Sequence, residues 1–402
     1  MMTIHADKVH DSMASADIRQ RAELMAAAAA AAADKVDQEA RFPTEAYAVA
    51  KAQRLLGIQV PIELGGEGAS VSDVGDICYL LGRACASTAM VFAMHQIMVR
   101  ILVRHAPDSA WHGRLLRRLC AEQLLLASST TEGQGGGDLR SSVCAVESAG
   151  GAAITVAKSA TVMSYGAEAD GIVTTARRAP DAAVSDQVLV AFTKEDYQLD
   201  PIMNWNALGM RGTCSAGYAF KGRGEAEQVL PEPYQRIHAQ SMMPVAHLTW
   251  SSVWAGVAAG AVDRAKRFVR NAARNANGQL PPGAANLTRA TVSLRALRGI
   301  VASSLQRYEA AALRPDGLET LDFQTAMNLL KVNASELAIS TVMSALQTCG
   351  LAGYRNDGDL SVSRHVRDIL STSIMINNDR ILASAANAAM VVEVPALLRD
   401  HA

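Results

Sequence analysis

The chain has 402 residues, half of them hydrophobic and only 4% aromatic, and its formal net charge is −1. This length favours two or three packed units over one domain, and the many Ala and Leu residues suit helix bundles. The near-neutral charge argues against a nucleic-acid partner or an anionic membrane surface. The six scattered cysteines, with no CxxC pair, indicate free thiols in a reducing compartment rather than a metal site, so we predict a cytoplasmic protein.

Residues 1–125 carry a helical pattern. Apolar residues recur at three- and four-residue spacing from Ile77 to His105, which predicts one buried helix. The apolar run Ala26–Ala33 is flanked by Glu23 and Asp34 and is much shorter than the about 20 residues that a membrane span needs. We therefore expect this run in the middle of a helix, and we expect no membrane anchor.

Residues 126–235 read as a small β-domain, because short apolar or β-branched runs alternate with Gly, Asp, Pro and Ser. These runs are Ala153–Val156, Gly171–Thr175, Gln187–Phe192 and Ala216–Phe220. Residues 236–402 return to long helical stripes, which predict an antiparallel four-helix bundle. The stripes are Val253–Val269, Leu287–Ala311, Phe323–Leu346 and Arg367–Val391. The predicted fold class is therefore mainly α with a central small β-domain.

A loop rich in glycine and hydroxyl residues, Leu126–Asp138, lies at the helix-to-β transition. Glycines allow a close backbone approach to a planar ligand or a phosphate, and Ser129, Thr130 and Thr131 can hydrogen-bond the edge of a polar ring. No GK[ST] follows, so the loop is not a P-loop. By itself the segment fits a flexible loop equally well.

Five blocks in the correct order resemble the acyl-CoA dehydrogenase family. They are Thr131-Glu132 with Gly136 and Asp138; Lys158 with Val162-Met163-Ser164 and Ala169-Asp170; Gly209-Met-Arg-Gly212; Gly256 with Asp263; and Gln347, Gly350, Gly353, Tyr354, Arg367 and Asp368. The resemblance spans nearly the whole chain from Arg41 on. It implies an N-terminal helical domain, a β-barrel middle domain and a C-terminal four-helix bundle that assembles as a homodimer or homotetramer.

The resemblance also implies an FAD cofactor. Its expected binding residues are Ser129, Thr130, Thr131, Gly136, Gly137, Val162, Met163, Ser164, Gln347, Gly350 and Asn378. Three positions depart from the family pattern around this cofactor. The flavin-side aromatic is replaced at Met163, and His247 stands where the family carries an Arg near the thioester.

The third departure removes the catalytic base. The family's Glu falls at or beside Ile376, and the alternative Glu position on the first bundle helix is Ala246. Oxidation of an acyl thioester requires removal of an α-proton, for which a positioned base contributes typically 10²–10⁴-fold. If the helix continues through Ile376, Asp379 lies on nearly the same face and is one candidate base. His247 is the other, and Asn377 can contribute only hydrogen bonds.

Three functions remain open. The first, placed slightly ahead, is an FAD-dependent dehydrogenase of an acyl thioester carried by CoA or a carrier protein, with an electron-transfer flavoprotein as a possible partner. The second is a flavin monooxygenase on the same fold, which uses reduced FAD or FMN from a flavin reductase and O₂ and needs no α-proton base. The third is a degenerate member without catalysis, against which the intact Thr131-Glu132 and Arg367-Asp368 blocks count.

Overall fold

The structure is a computed structural model that describes residues 3–132 and 141–394, with side chains described from Asp17 on. The predicted cofactor-binding residues Gly136 and Gly137 lie outside the described residues.

Five helices form the N-terminal domain: α1 (Thr3–Glu39), α2 (Thr44–Ala52), α3 (Val71–Ala84), α4 (Ala86–His105) and α5 (Ala110–Glu122). The Ala26–Ala33 run lies in the middle of α1, as predicted. The single helix predicted over Ile77–His105 is wrong, because Cys85 adopts an extended conformation with φ −152° and ψ 117° and separates α3 from α4. Helix α4 is long and apolar enough to cross a membrane, but 83% of its most apolar stretch is buried inside the protein.

The described residues of the middle domain form seven strands: β1 (Leu126–Ser129), β2 (Val146–Ser148), β3 (Ala153–Ala160), β4 (Gly171–Arg177), β5 (Gln187–Thr193), β6 (Tyr197–Met203) and β7 (Gly217–Glu225). The first three predicted runs lie in β3, β4 and β5, and the run Ala216–Phe220 begins one residue before β7. The strands form two sheets, with orders β1-β4-β5 and β2-β3-β7-β6, joined by a bridge between Ala145 and Arg177. Among the described residues the strands of this domain thus lie in two linked sheets.

The C-terminal region begins with α6 (Tyr234–Ile237) and a π-helical turn, His238–Met242. Three long helices follow: α7 (Met243–Asn275), α8 (Ala284–Ala312) and α9 (Leu321–Cys349). After them come α10 (Leu351–Tyr354), α11 (Ser363–Ile369), a 3₁₀ turn over Leu370–Ser373 and α12 (Asn378–Ala389). The continuous fourth helix predicted over Arg367–Val391 is therefore wrong. The backbone leaves the helical conformation at Ile376, where φ is +45°.

The middle and C-terminal domains are held together by the Gly209–Gly212 block. The backbone N–H of Met210 donates to Asp368 Oδ1 at 2.7 Å. A Cβ on Gly209 would overlap the carbonyl oxygen of Arg367, so only glycine allows this approach. Arg211 donates to the Asp37 carbonyl oxygen at 2.7 Å, which also ties the block to α1. Two of the sequence blocks therefore meet in the fold and fix the segment that leads to Ile376.

Candidate functional site

The first group of predicted site residues lies at the end of β1. Ser129 is fully buried, and its Oγ has no hydrogen-bond partner among the described residues. Thr131 Oγ1 donates to the Val162 carbonyl oxygen at 3.0 Å, which brings the two predicted flavin-edge blocks together. Thr130 is partly exposed beside them. The group therefore offers one buried hydroxyl that is free to bond a ligand.

A buried lysine supports this edge from below. Lys158 Nζ donates to the Ser129 carbonyl oxygen and the Thr175 carbonyl oxygen, each at 2.9 Å, and lies 3.4 Å from Glu132 Oε1. Burial lowers the pKa of Lys158. Burial is also the largest single influence on the pKa of Glu132 and acts to raise it, but the hydrogen bond from Ser142 and the charge of Lys158 act the other way, so the pKa of Glu132 is lowered. These bonds fix the backbone on which Ser129 sits.

The Val162–Ser164 block divides between surface and core. Val162 is 40% exposed, whereas Met163 is fully buried and packs against Gly166. Ser164 is also buried, and its hydroxyl is bonded to that of Ser215 at 2.8 Å. The neighbouring aromatic, Tyr165, is buried with its OH donating to the Leu126 carbonyl oxygen at 2.9 Å. Within this block, Val162 is the residue that remains open to a ligand.

Helix α4 connects this edge to the bundle. It packs against both β1 and α7, and His95 on α4 accepts a hydrogen bond from the Leu126 N–H at 3.0 Å through Nδ1. His95 Nε2 donates to the Leu56 carbonyl oxygen at 2.8 Å. Burial lowers the pKa of His95 to about 4, so the ring is neutral at pH 7. His95 is thus fully engaged in structure.

The second group lies on α7. His247 is 1% exposed, and its Nδ1 donates to the Met327 carbonyl oxygen of α9 at 3.0 Å. That bond fixes the tautomer and leaves Nε2 as a free acceptor, which has no partner within the described part of the chain. Burial lowers the pKa of His247 to about 3, so the ring stays neutral and binds a proton only weakly.

Two tryptophans continue this face of α7. Trp250 packs beside His247, with ring centroids 6.1 Å apart, and Trp254 follows one turn later. Both are nearly buried, and neither indole N–H finds an acceptor in the residues described. Burying an unbonded donor is unfavourable, so these groups suit a site that a ligand completes. Sequence reasoning missed both residues.

A buried lysine on α9 faces this group, and sequence reasoning missed it as well. Lys331 is fully buried; its Nζ donates to the Ile376 carbonyl oxygen at 2.8 Å and to Asn378 Oδ1 at 2.7 Å. The ammonium lies 5.8 Å from the centroid of the Trp254 ring. Burial lowers the pKa of Lys331 to about 8. The polar position in the apolar run Leu329-Leu-Lys-Val332 was the available signal.

The remaining predicted residues near the missing base lie where α12 begins. Asn377 is exposed and caps α12, because its side chain accepts the Asp379 N–H at 2.8 Å. Asp379 is exposed in the first turn of that helix. The expectation that Asp379 shares a helix face with Ile376 is wrong, because no helix connects the two residues. Asn378 already has both ends of its amide bonded, to Lys331 and to Ser335.

Gln347 and Gly350 lie at the far end of α9, exposed on the chain surface. Gly350 caps the helix with φ +55°. Gln347 is 16 residues from Lys331, roughly 24 Å along a straight helix. The structure therefore does not bring these two residues together with the His247 and Lys331 group.

The two groups differ from an acyl thioester dehydrogenase site in one respect. The two positions that would carry a base hold Ala246 and Ile376, and the carboxylates nearest to Ile376 along the chain are Asp368 and Asp379. Asp368 is buried, its pKa is raised to about 6 by burial, and it accepts the Met210 N–H. Asp379 is exposed. The described side chains of the His247 and Lys331 group are neutral or cationic, whereas the Ser129 group includes the carboxylate of Glu132 beside Lys158.

Models of the acyl-CoA dehydrogenase N-terminal domain match residues 14–123, and models of its C-terminal domain match residues 238–389. The probable acyl-CoA dehydrogenase FadE25 of Mycobacterium tuberculosis is 25% identical over 374 residues, which cover 92% of each chain. L-evernosamine nitrososynthase of a Micromonospora species is 28% identical over 360 residues, covering 86% of this chain and 82% of the relative.

Solved structures share the fold. FMN-bound TdsC from Paenibacillus superposes with a TM-score of 0.83 at 17% identity, covering 94% of this chain and 98% of TdsC. A nitrososynthase from Micromonospora carbonacea gives 0.81 at 22% identity, covering 94% and 97%. With both family domains matched and the fold shared over nearly the whole chain, the protein belongs to the acyl-CoA dehydrogenase family.

Proposed function

We propose that the protein is a flavin-dependent monooxygenase, which uses reduced flavin and O₂ to place one oxygen atom on a small organic substrate. The observation that carries the proposal is the chemistry of the base position. The Ile376 side chain offers no proton acceptor, and the imidazole of His247 on α7 is held neutral, with its pKa lowered to about 3 by burial. A dehydrogenase base needs a pKa much closer to the working pH.

The described residues fit a flavin. The buried Ser129 hydroxyl has no partner among the described residues and is free to bond the polar edge of the ring, and Thr131, two residues on, bonds the backbone of the exposed Val162. Flavin, when bound, supplies two electrons to O₂, so that one oxygen atom is transferred to the substrate and the other leaves as water. FMN and FAD share the ring that this edge would hold. The solved TdsC structure contains FMN, which supports a flavin cofactor.

The chain's own residues contribute binding and exclusion of water. In this proposal Trp254 and Ile376, which both neighbour the Lys331 ammonium, supply an apolar wall, and keeping water from reduced flavin and O₂ limits wasteful peroxide release. His247 Nε2 can accept a hydrogen bond from a substrate N–H or O–H and so orient it. Two curated relatives are named an L-evernosamine nitrososynthase and an amino sugar nitrososynthase, which supports a substrate with an amine group.

The second candidate is dehydrogenation of an acyl thioester, favoured by the relative FadE25, which matches this chain over 92% of both lengths. In that case His247 is the candidate base. A monooxygenase requires a flavin reductase as partner, and a dehydrogenase requires an electron-transfer flavoprotein. We also propose a cytoplasmic homodimer or homotetramer, in which the exposed Gln347 and Gly350 serve the flavin of a neighbouring copy.

Mass spectrometry of products separates the two candidates. The purified protein is given reduced flavin, heavy-isotope O₂ and a panel of amines, thioethers and acyl thioesters. The monooxygenase proposal predicts a product that carries one labelled oxygen atom. An acyl thioester that loses two hydrogens and gains no label would establish the dehydrogenase instead, and a protein that takes up no flavin would exclude both.

A further inference from the structure

The break between α11 and α12 is strained at one residue. Ile376 has φ +45°, in the left-handed region, where a β-branched side chain is an outlier. Such a conformation is unfavourable and persists only when surrounding contacts impose it. The strain therefore requires contacts that hold this backbone in place.

Lys331 supplies those contacts from α9. Its Nζ donates to the carbonyl oxygen of Ile376 itself and, at the same time, to Asn378 Oδ1. The Asn378 amide donates in turn to Ser335 Oγ at 2.9 Å, one turn further along α9. Side chains from two successive turns of α9 thus form hydrogen bonds with the chain on either side of the exposed cap residue Asn377.

The charge of this side chain is unusual for such a place. Burial lowers its pKa without any opposing carboxylate, and among the described residues its bonded partners are a carbonyl and an amide oxygen. A buried ammonium with no counter-charge is unfavourable. Packing alone gives no reason for it. A lysine on the helix can, in contrast, reach two acceptors at once and place a positive charge at the carbonyl oxygen of residue 376.

We propose that Lys331 is a positioning residue, which holds Ile376 in its left-handed conformation and thereby sets the wall of the site beside Trp254. The direction of the side chain at position 376 is then imposed by α9 and not by the preference of isoleucine. The effect of Lys331 on cofactor and substrate binding rests on the proposed function. Its restraint of the Ile376 backbone is independent of that function.

A double-mutant cycle tests the hold through hydrogen–deuterium exchange of the peptide that spans residues 374–380. Lys331→Met fills the same volume and removes both bonds. It should speed exchange about tenfold, the effect of losing about 1.4 kcal/mol of local restraint. In an Ile376→Gly background the same change should speed exchange by less than about threefold, because glycine adopts a positive φ without strain.

Lys158→Met is the matched control, because Lys158 is also a fully buried lysine but lies in the β-domain. It should leave exchange at 374–380 unchanged. An equal acceleration by Lys331→Met in the Ile and Gly backgrounds, or none in either, would overturn the proposal. Equal acceleration by Lys158→Met would do the same, since it would show a general loss of stability.

A spectroscopic measurement separates positioning from mere support. Lys331→Met should change the visible spectrum of bound oxidised flavin, and in an Ile376→Gly background, where no side chain is left to position, the same change should alter the spectrum little. Faster exchange with an unaltered flavin spectrum would reduce Lys331 to structural support and refute the positioning role. If the wild type binds no flavin, the proposed function fails, while the exchange cycle still decides whether Lys331 holds Ile376.

Discussion

Replacing His247 with asparagine should remove part of the protein's sensitivity to acid. The asparagine amide can keep the hydrogen bond to the Met327 carbonyl oxygen, but it does not titrate. In the wild type the His247 ring is 1% exposed, and burial lowers its pKa from 6.5 to about 3. The unfolded chain therefore binds a proton at this site at a pH where the folded chain does not.

The sign and size follow from that difference. The stability contribution of neutral His247 is fully present above pH 6.5 and is lost as the pH falls toward 3. The loss is about 1.4 kcal/mol per pH unit, or roughly 2.5 kcal/mol between pH 7 and pH 4.5. His95 and His112, which are also buried with pKa values lowered by burial, contribute equally to both proteins and cancel in the comparison.

The assay is urea unfolding of the wild type and His247→Asn at several pH values from 7 to 4.5. The stability advantage of the wild type over the variant should shrink by that roughly 2.5 kcal/mol across the range. A difference that stays constant with pH would refute the reasoning. It would mean that His247 titrates normally in the folded protein, and it would return this residue to consideration as a general base.

Three further predictions follow from the contacts. Ser129→Ala should weaken flavin binding about fivefold through loss of about 1 kcal/mol, while Ser148→Ala on the exposed part of β2 should not, as measured by flavin fluorescence titration. Gly209→Ala should lower the unfolding free energy by about 3 kcal/mol, because its Cβ would overlap the Arg367 carbonyl oxygen. The control Gly299→Ala, whose Cβ lies in open space on α8, should be neutral or stabilising, and thermal unfolding of both variants checks this. The wild type should gain about 1.6 kcal/mol of unfolding free energy relative to Lys331→Met between pH 8 and 9.5, because the buried amine, with its pKa lowered to about 8, loses its proton before the unfolded chain does. Urea unfolding that shows no such gain would contradict the burial of a charge there.

The sequence predicted the strands that have a plain hydrophobic pattern. Strands β4 and β5 are buried along nearly their whole length and appear as continuous apolar runs. Strand β6 was missed because Pro201 and exposed polar residues interrupt the pattern expected of a strand. The structure places β6 at a sheet edge, where proline is tolerated. Strand β1 was missed because it has four residues and precedes a glycine-rich loop.

The site was harder to predict, because its geometry depends on contacts between distant segments. Helical periodicity continues from Arg367 through Ile376, so the break there was not expected. Asn377 was the available signal, since asparagine is a preferred N-cap. Lys331 lies 45 residues before Ile376, and only the fold brings its ammonium to that carbonyl oxygen. The absence of the glutamate at position 376 could be read directly from the sequence, but the arrangement of Lys331 and Ile376 found there could not.

Stopped-flow mixing of reduced flavin with O₂, in the presence and absence of the protein, tests the central claim most directly. If the site binds reduced flavin for oxygen transfer and excludes water, the absorbance of oxidised flavin should return at least about tenfold more slowly with the protein than without it. An unchanged rate, together with anaerobic bleaching of the protein-bound oxidised flavin by acyl thioesters, would contradict the monooxygenase account and establish a dehydrogenase.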